Sequence, residues 1–532
     1  MVRVRQNVFE LGSDWADPIL WYARGVKAMK ARPLADPTGW TFYAAIHGID
    51  RWLWNFYSFT KPTEPAPAPQ DVARFWDQCQ HQSWYFLPWH RGYLMALETQ
   101  IRAEIAALGG PADDWALPYW NYFNTGQNRL PAAFLTPDWP DGKGDNPLFV
   151  TQRWGGLATA TPYPIWTQTN IKAMQDADFT VPQPNMSTGF GGPETGFSWS
   201  GDRSGGIENN PHNMVHVLVG GQNDSQTFPP DAPNGLANQP LEGVMGDPNA
   251  AALDPIFYLH HSNIDRLWQS WNVFPTGKPR TNPTDWMNPT APKWAGGPAS
   301  TGERAFCMPK PTGGYVTYTP SQMQDIAALG YAYDDLTPGT LQGSAVSMAS
   351  AGRGMTSGRP TLASTKGGRA MSSAGPELMA ATADMPVAGS APLRLALRIE
   401  PQVRTRLTNS FVAVEARPDR VFLMLENITG LTNAGSFAVY LGLPADADDS
   451  TRQAHLAGGV SMFGLRKASL ADGPHGGGGI SVTLEVSDIV DRLHLSGALG
   501  GDGLAVDLVP TVAIPDSAQV RIGRISLHRQ PA

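Results

Sequence analysis

The chain of 532 residues has only two cysteines, Cys79 and Cys307, which excludes a disulfide framework and allows one bridge at most. It lacks any long run of Lys or Arg, and its formal net charge is -8. The cationic surface that neutralises phosphates is therefore missing, and no nucleic acid is expected as a partner. No stretch is apolar over membrane-spanning length, and the N-terminal "MVRVRQNVFELGSDWADP" holds no apolar run of secretory length. The expectation is a chain with no membrane partner, beginning near Met1 and residing in the cytoplasm. What the sequence does hold is apolar material, 42% hydrophobic residues, enough for a sizeable core. Small molecules are the partners such a composition leaves.

Three regions differ in composition. Residues 1–340 are rich in Trp and Pro, with helical patterns separated by long irregular connections such as 62–69 and 136–200. Loops of that size usually serve function, so this region reads as a mainly α catalytic domain with decorated loops. In residues 341–386 the sequence shifts, from Gly343 on, to Ser, Ala, Gly and Met, the composition of a flexible linker. Residues 387–532 carry short β-branched segments between Gly, Pro and Asp turns. Examples are "RVFLMLENI" from Arg420, "SFAVYLGL" from Ser436 and "ISVTLEVSDI" from Ile480, which together imply an all-β sandwich.

Seven of the 11 histidines fall from His47 to His261, and five of them sit on three readable helices. His90 precedes Leu94 by four and shares a stripe with Leu97, Ile101, Ile105 and Leu108, so it points inward. In "NPHNMVHVLVGG", Asn210 is placed to cap, Pro211 to open the first turn and Gly220–Gly221 to end it. His212 and His216 then share one face. In "DPIFYLHHSNIDRLWQSW", Phe257, His261, Ile264, Trp268 and Trp271 follow one stripe, with His260 to its side. Asp265 is spaced to accept from the His261 ring.

Buried imidazoles with unmet donors and acceptors are unfavourable, which argues that these rings meet around metal. Six imidazoles with no carboxylate among them disfavour a di-iron bundle or a carboxylate-bridged hydrolase. Neutral nitrogen donors suit copper in both oxidation states, and zinc remains chemically open.

With these residues in view, the sequence resembles the type 3 copper proteins: tyrosinases, catechol oxidases and molluscan-type haemocyanins. His81, Phe86, Leu87, Trp89, His90, Arg91, Leu94 and Glu98 match the family's first copper signature. Asp254, Pro255, Phe257, Tyr258, His261 and Asp265 match the second. The "YAY" triplet at Tyr331–Tyr333 is similar to one that closes the catalytic domain of many polyphenol oxidases, and the β-rich tail is similar to the covering domain of latent forms.

The resemblance implies a bacterial tyrosinase or polyphenol oxidase whose catalytic domain has a four-helix-bundle core, followed by a covering sandwich. It implies two copper ions, one on His47, His81 and His90 and the other on His212, His216 and His261. It further implies a thioether between Cys79 and His81, Phe257 as a gate residue, and Glu208 with Asn213 orienting a water. Trp84, Tyr85, Phe86 and Trp89 would wall the site. The implied partners are O2 and small phenols or catechols, with a homo-oligomer left open. The implied reaction is ortho-hydroxylation of monophenols and oxidation of o-diphenols to o-quinones. The alternatives are a catechol oxidase or o-aminophenol oxidase, or a haemocyanin-like oxygen carrier. A tail over the copper mouth implies latency relieved by cleavage in the linker.

Overall fold

The computed structural model describes residues 2–141, 144–165, 169–197, 203–273, 286–339, 375–382, 386–412, 419–500 and 503–531. Helices Asp17–Lys30, Trp40–His47, Phe86–Ala107, Met214–Gly220 and Ile256–Val273 carry the first core. The long Phe86–Ala107 helix buries Leu94, Leu97, Ile101 and Ile105 at helical spacing, and Gly25 of the first helix lets Ile101 come into contact. Leu108, expected to close that stripe, is instead the C-cap and 53% exposed, because the helix ends one residue before it.

The Ile256–Val273 helix begins where the Asp254 carboxylate accepts from the Ile256 amide at 3.0 Å. The same carboxylate is held by Arg153 at 2.5 and 2.7 Å. Fifteen of its 18 residues are buried, so this helix has no solvent face.

A parallel pairing of Arg3–Arg5 with Tyr331–Tyr333 closes the unit. Arg5 bonds Glu98 at 3.0 Å and Asp265 at 3.3 Å, while Arg91 donates to Asp265 at 2.5 Å. Tyr331 and Tyr333 donate to the same Asp265 at 2.7 and 2.6 Å. Two buried cations thus face two buried carboxylates, and deleting one member would cost about 3–5 kcal/mol through the charge left unpaired. The cluster joins both ends of the unit to the two long helices.

The C-terminal region has its own core between two four-stranded antiparallel sheets. One runs in the order Leu456–Ser461, Ser436–Leu441, Leu504–Pro510, Leu393–Leu397. The other runs Ile480–Glu485, Arg420–Thr429, Arg521–Gln530, Glu377–Ala381. Leu423, Leu425, Val439, Leu441, Val506, Leu508, Ile522 and Ile525 alternate inward from the two sheets, and short helices fill the connections. Glu377–Ala381 falls inside the stretch read as linker and forms the edge of its sheet, while residues 340–374 lie outside the described residues. No described helix is long and apolar enough to cross a membrane.

The strand Leu456–Ser461 and the turn after it lie against the Met214–Gly220 helix, where Ser461 Oγ donates to the Asn213 carbonyl at 2.9 Å. Further contacts flank this one: Gln222 and Gln239 donate to the carbonyls of Ala513 and Ser517 at 2.9 and 2.7 Å.

Candidate metal centre

Seven buried histidines and Cys79 meet in two groups, His47, Cys79, His81 and His90 in one and His212, His216, His260 and His261 in the other. His47 is the last residue of the Trp40–His47 helix, His81 lies in the irregular segment before the Phe86–Ala107 helix, and His90 is in that helix's second turn. His212 and His216 stand one turn apart. His261 comes from the all-round buried Ile256–Val273 helix.

The second group is the tighter. Nε2 of His212 lies 3.2 Å from Nε2 of His261 and 3.1 Å from Nε2 of His216, and His216 to His261 is 3.3 Å. A triangle of edge 3.1–3.3 Å has its centre about 1.9 Å from each corner, close to the ~2.0 Å of a metal–imidazole bond. Three lone pairs aimed at one point repel unless a cation sits between them.

The other ring nitrogens fix the tautomers. His47 Nδ1 meets the Pro248 carbonyl at 2.9 Å, His90 Nδ1 the Phe86 carbonyl at 2.8 Å and His216 Nδ1 the Met245 carbonyl at 2.7 Å. His212 Nδ1 meets Asn213 Oδ1 at 2.8 Å. A carbonyl only accepts, so each Nδ1 carries the proton and each Nε2 presents a lone pair. Nε2 of His47 is buried without a hydrogen-bond partner among the described residues.

Burial holds all six rings below their usual pKa, reinforced by neighbouring imidazoles at all but His216, and brings His90 and His216 down to about 3. Neutral, lone-pair-bearing nitrogen sets without a carboxylate fit copper.

His260 stacks on His212 at 5.4 Å and 23° behind the triangle, and it is His261 whose Nε2 closes the corner. Asp265 does not orient His261. Its carboxylate is taken by Arg5, Arg91, Tyr331 and Tyr333, and His261 Nδ1 has no hydrogen-bond partner among the described residues. Asn210 does not cap the helix of His212 either. Thr169 Oγ1 and Asn170 N both donate to its Oδ1 at 2.8 Å, and the regular helix starts only at Met214.

The aromatic wall is narrower than the sequence suggests. Phe86 lies 4.5 Å from the ring of His90 and 4.7 Å from that of His212, and Trp89 lies 4.8 Å from His90. Tyr85 instead packs on Phe306, and the Trp84 carbonyl accepts from Trp294, so both serve the surrounding core. Phe257 lies 4.1 Å from the ring of His261 at a tilt of 30° and sets its edge toward His47 at 4.9 Å, bridging the two groups.

Cys79 Sγ lies 3.4 Å from His81 Nδ1 and 3.6 Å from His81 Nε2, and neither cysteine is in a disulfide. Glu208 is buried, accepts from the Gln82 amide at 2.8 Å and is pushed up by burial to about 8. Glu208 and Asn213 line one cavity of about 10 Å³ together with His81, Gln82, Ser481 and Phe463, room for about one water.

Phe463 is the residue that sequence reasoning missed. It follows the Leu456–Ser461 strand of the C-terminal region, yet its ring stacks on His216 at 4.3 Å and 24°. It also approaches His81 and His212 at 5.7 and 5.8 Å, across both groups. A single Phe in "SMFGLRK" carries no spacing signal.

Comparison with known proteins agrees with this geometry. The family described as the common central domain of tyrosinase matches residues 37–273, and a domain of unknown function, DUF7868, matches 375–530. Tyrosinase HcTyr1 of Hahella sp. (strain CCB-MM4) is 30% identical over 540 residues, covering 99% of this chain and 100% of that protein. Polyphenol oxidase D of Solanum lycopersicum is 33% identical over 219 residues, 39% of this chain and 34% of the relative. Among solved structures, the latent apple tyrosinase superposes with a TM-score of 0.56 at 20% identity, over 99% of this chain and 97% of that one, a likeness of fold. With a full-length relative of this similarity and two convergent imidazole groups, the chain belongs to the tyrosinase and polyphenol oxidase family of oxidoreductases, whose centre is a pair of copper ions.

Proposed function

We propose that this chain is a tyrosinase with both activities, hydroxylating monophenols ortho to the hydroxyl and oxidising o-diphenols to o-quinones with O2. We propose, too, that its C-terminal unit holds it latent. His47, His81 and His90 would hold one copper and His212, His216 and His261 the other; bound, the pair supplies O2 binding and two-electron exchange. The observation that carries the reading is the cavity shared by Glu208, Asn213 and His81.

The residues divide the remaining work. Phe86, Trp89 and Phe257 keep the mouth dry and the imidazoles fixed. Phe463, stacked on His216, occupies the position an aromatic substrate would take, so its ring stands in for a phenol and excludes one.

A free phenol has a pKa of about 10 and keeps its proton at neutral pH, so hydroxylation requires an acceptor. Asn213 Oδ1 is engaged by His212, which leaves Nδ2 to donate to a water in the cavity, while a Glu208 oxygen accepts from that water. The phenolic proton passes through the water to the ionised form of Glu208. That form is a minority at neutral pH, the carboxyl being pushed up by burial to about 8, so this step gains as pH rises toward 8. Cys79 Sγ, nearly equidistant from both nitrogens of His81, faces the ring so as to bond the carbon between them. Each partner gives up one hydrogen, with O2 as oxidant.

The test is turnover of a monophenol and its catechol by the copper-loaded chain, before and after Phe463→Ala. Both substrates should be turned over, and faster in the variant. Catechol turnover alone would leave a catechol oxidase, and reversible O2 binding without quinone an oxygen carrier.

A further inference from the structure

Residues 242–249 form a strap across the metal centre. The Met245 carbonyl accepts from His216 Nδ1 at 2.7 Å and the Pro248 carbonyl from His47 Nδ1 at 2.9 Å, so one short piece of backbone orients a ring in each trio. The strap lies directly on the helix of His216. A Cβ on Gly243 would stand 2.1 Å from the Gly220 carbonyl oxygen, and one on Gly220 would stand 2.4 Å from the Gly246 nitrogen.

Two carboxylates on the strap, Glu242 and Asp247, reach across to the C-terminal unit. Arg466 bridges them, Nη1 donating to Glu242 at 2.6 Å and Nη2 to Asp247. Thr432 Oγ1 and the Asn433 amide donate to Glu242 at 2.9 and 2.6 Å, and Asn433 Nδ2 donates to Asp247 at 3.1 Å. Lys467 Nζ donates to Asn249 Oδ1 at 2.8 Å. Arg466, Glu242 and Asp247 are all buried. The hydrogen bonds to the Glu242 carboxylate among the described residues come from the C-terminal unit.

We propose that Arg466 is a positioning residue for the metal centre. By bridging Glu242 and Asp247 it holds the carbonyls that orient His47 and His216, so the unit that closes the mouth through Phe463 also tightens the grip of both trios on their metal. The proposal rests on the reading of the two trios as copper ligands. Phe463 and Arg466 are three residues apart, yet their effects are separable. Phe463→Ala opens the mouth and leaves the strap clamped, whereas releasing the whole unit opens the mouth and frees the strap together. The fully uncovered enzyme then holds copper less tightly than the covered one. The glycine contacts with the His216 helix keep the strap seated, so loss of the clamp loosens it without melting it.

The experiment compares full-length wild type, Arg466→Met, Arg466→Lys and Phe463→Ala, each loaded with copper. Transfer of copper to excess EDTA is followed by absorbance, with far-ultraviolet circular dichroism as the check on folding. Arg466→Met should release copper about tenfold faster than wild type, Arg466→Lys should fall between, and Phe463→Ala should stay within about twofold of wild type. If Arg466→Met does not fold, Arg466→Lys against Phe463→Ala carries the comparison. Release from the Arg466 variants at the wild-type rate, or from Phe463→Ala as fast as from them, overturns the clamp. Wild type that takes up fewer than two coppers overturns the metal reading itself.

Discussion

The two imidazole trios are built by different means. His212 and His216 lie one helical turn apart, so the helix itself sets their spacing, and the facing helix adds His261 to give nitrogens 3.1–3.3 Å apart. His47, His81 and His90 come from a helix end, an irregular segment and a second helix, and their ring centres stand 5.5–5.9 Å apart. Here Cys79 reaches both His81 Nδ1 and His90 Nε2 at 3.4 Å. The second trio takes its spacing from one continuous helical segment and its facing helix, with Asn213 Oδ1 and the Met245 carbonyl orienting two of its rings. A trio drawn from three segments relies on partners outside the ligand set, such as the Phe86 and Pro248 carbonyls and the Cys79 sulfur.

The largest effect that breaks this contrast comes from removing a corner. His216→Asn and His81→Asn should each abolish catechol oxidation, and copper analysis should show the opposite trio still loaded in both. Loss of both metals from either variant would mean the trios are not independent.

Asn213→Asp comes next; it keeps an oxygen for His212 Nδ1 but removes the Nδ2 donor, lowering monophenol turnover by about 10²-fold while catechol turnover changes by about twofold. Equal losses on both substrates would remove the water-orienting role. Phe463→Ala should raise catechol turnover of the uncut chain about tenfold, the factor given by ~1.4 kcal/mol of lost ring burial. An unchanged rate would mean that another element blocks the mouth.

The smallest effect is expected from Cys79→Ser, which should speed copper loss from the first trio about threefold and leave the second unchanged. In wild type the peptide spanning Cys79 and His81 should be lighter by two hydrogens and resist alkylation after denaturation. A Cys79 that alkylates normally removes the thioether.

Legibility in the sequence follows the same divide between local and remote causes. The inward face of His90 could be read because Leu94, Leu97, Ile101 and Ile105 repeat on a helix with a core side. Periodicity favours His261 over His260 only mildly, because the helix that carries them is buried on all sides, and the motif resemblance makes the choice. Asp265 has the right spacing to reach His261, but the guanidiniums of Arg5 and Arg91 compete for its carboxylate, and no local pattern announces them. Asn210 looked like a cap by residue type, yet Thr169 and Asn170 claim its side chain. Phe463, Arg466 and the Met245 and Pro248 carbonyls act across distances no window spans, and only the folded chain brings them to the histidines.

The central claim, that two imidazole trios each hold one copper with His261 and not His260 at the last corner, is tested most directly by native mass spectrometry of copper-loaded protein. Wild type and His260→Gln should carry two coppers and His261→Gln one. A wild type with a single copper, or a His261→Gln variant that keeps both while His260→Gln loses one, would contradict it.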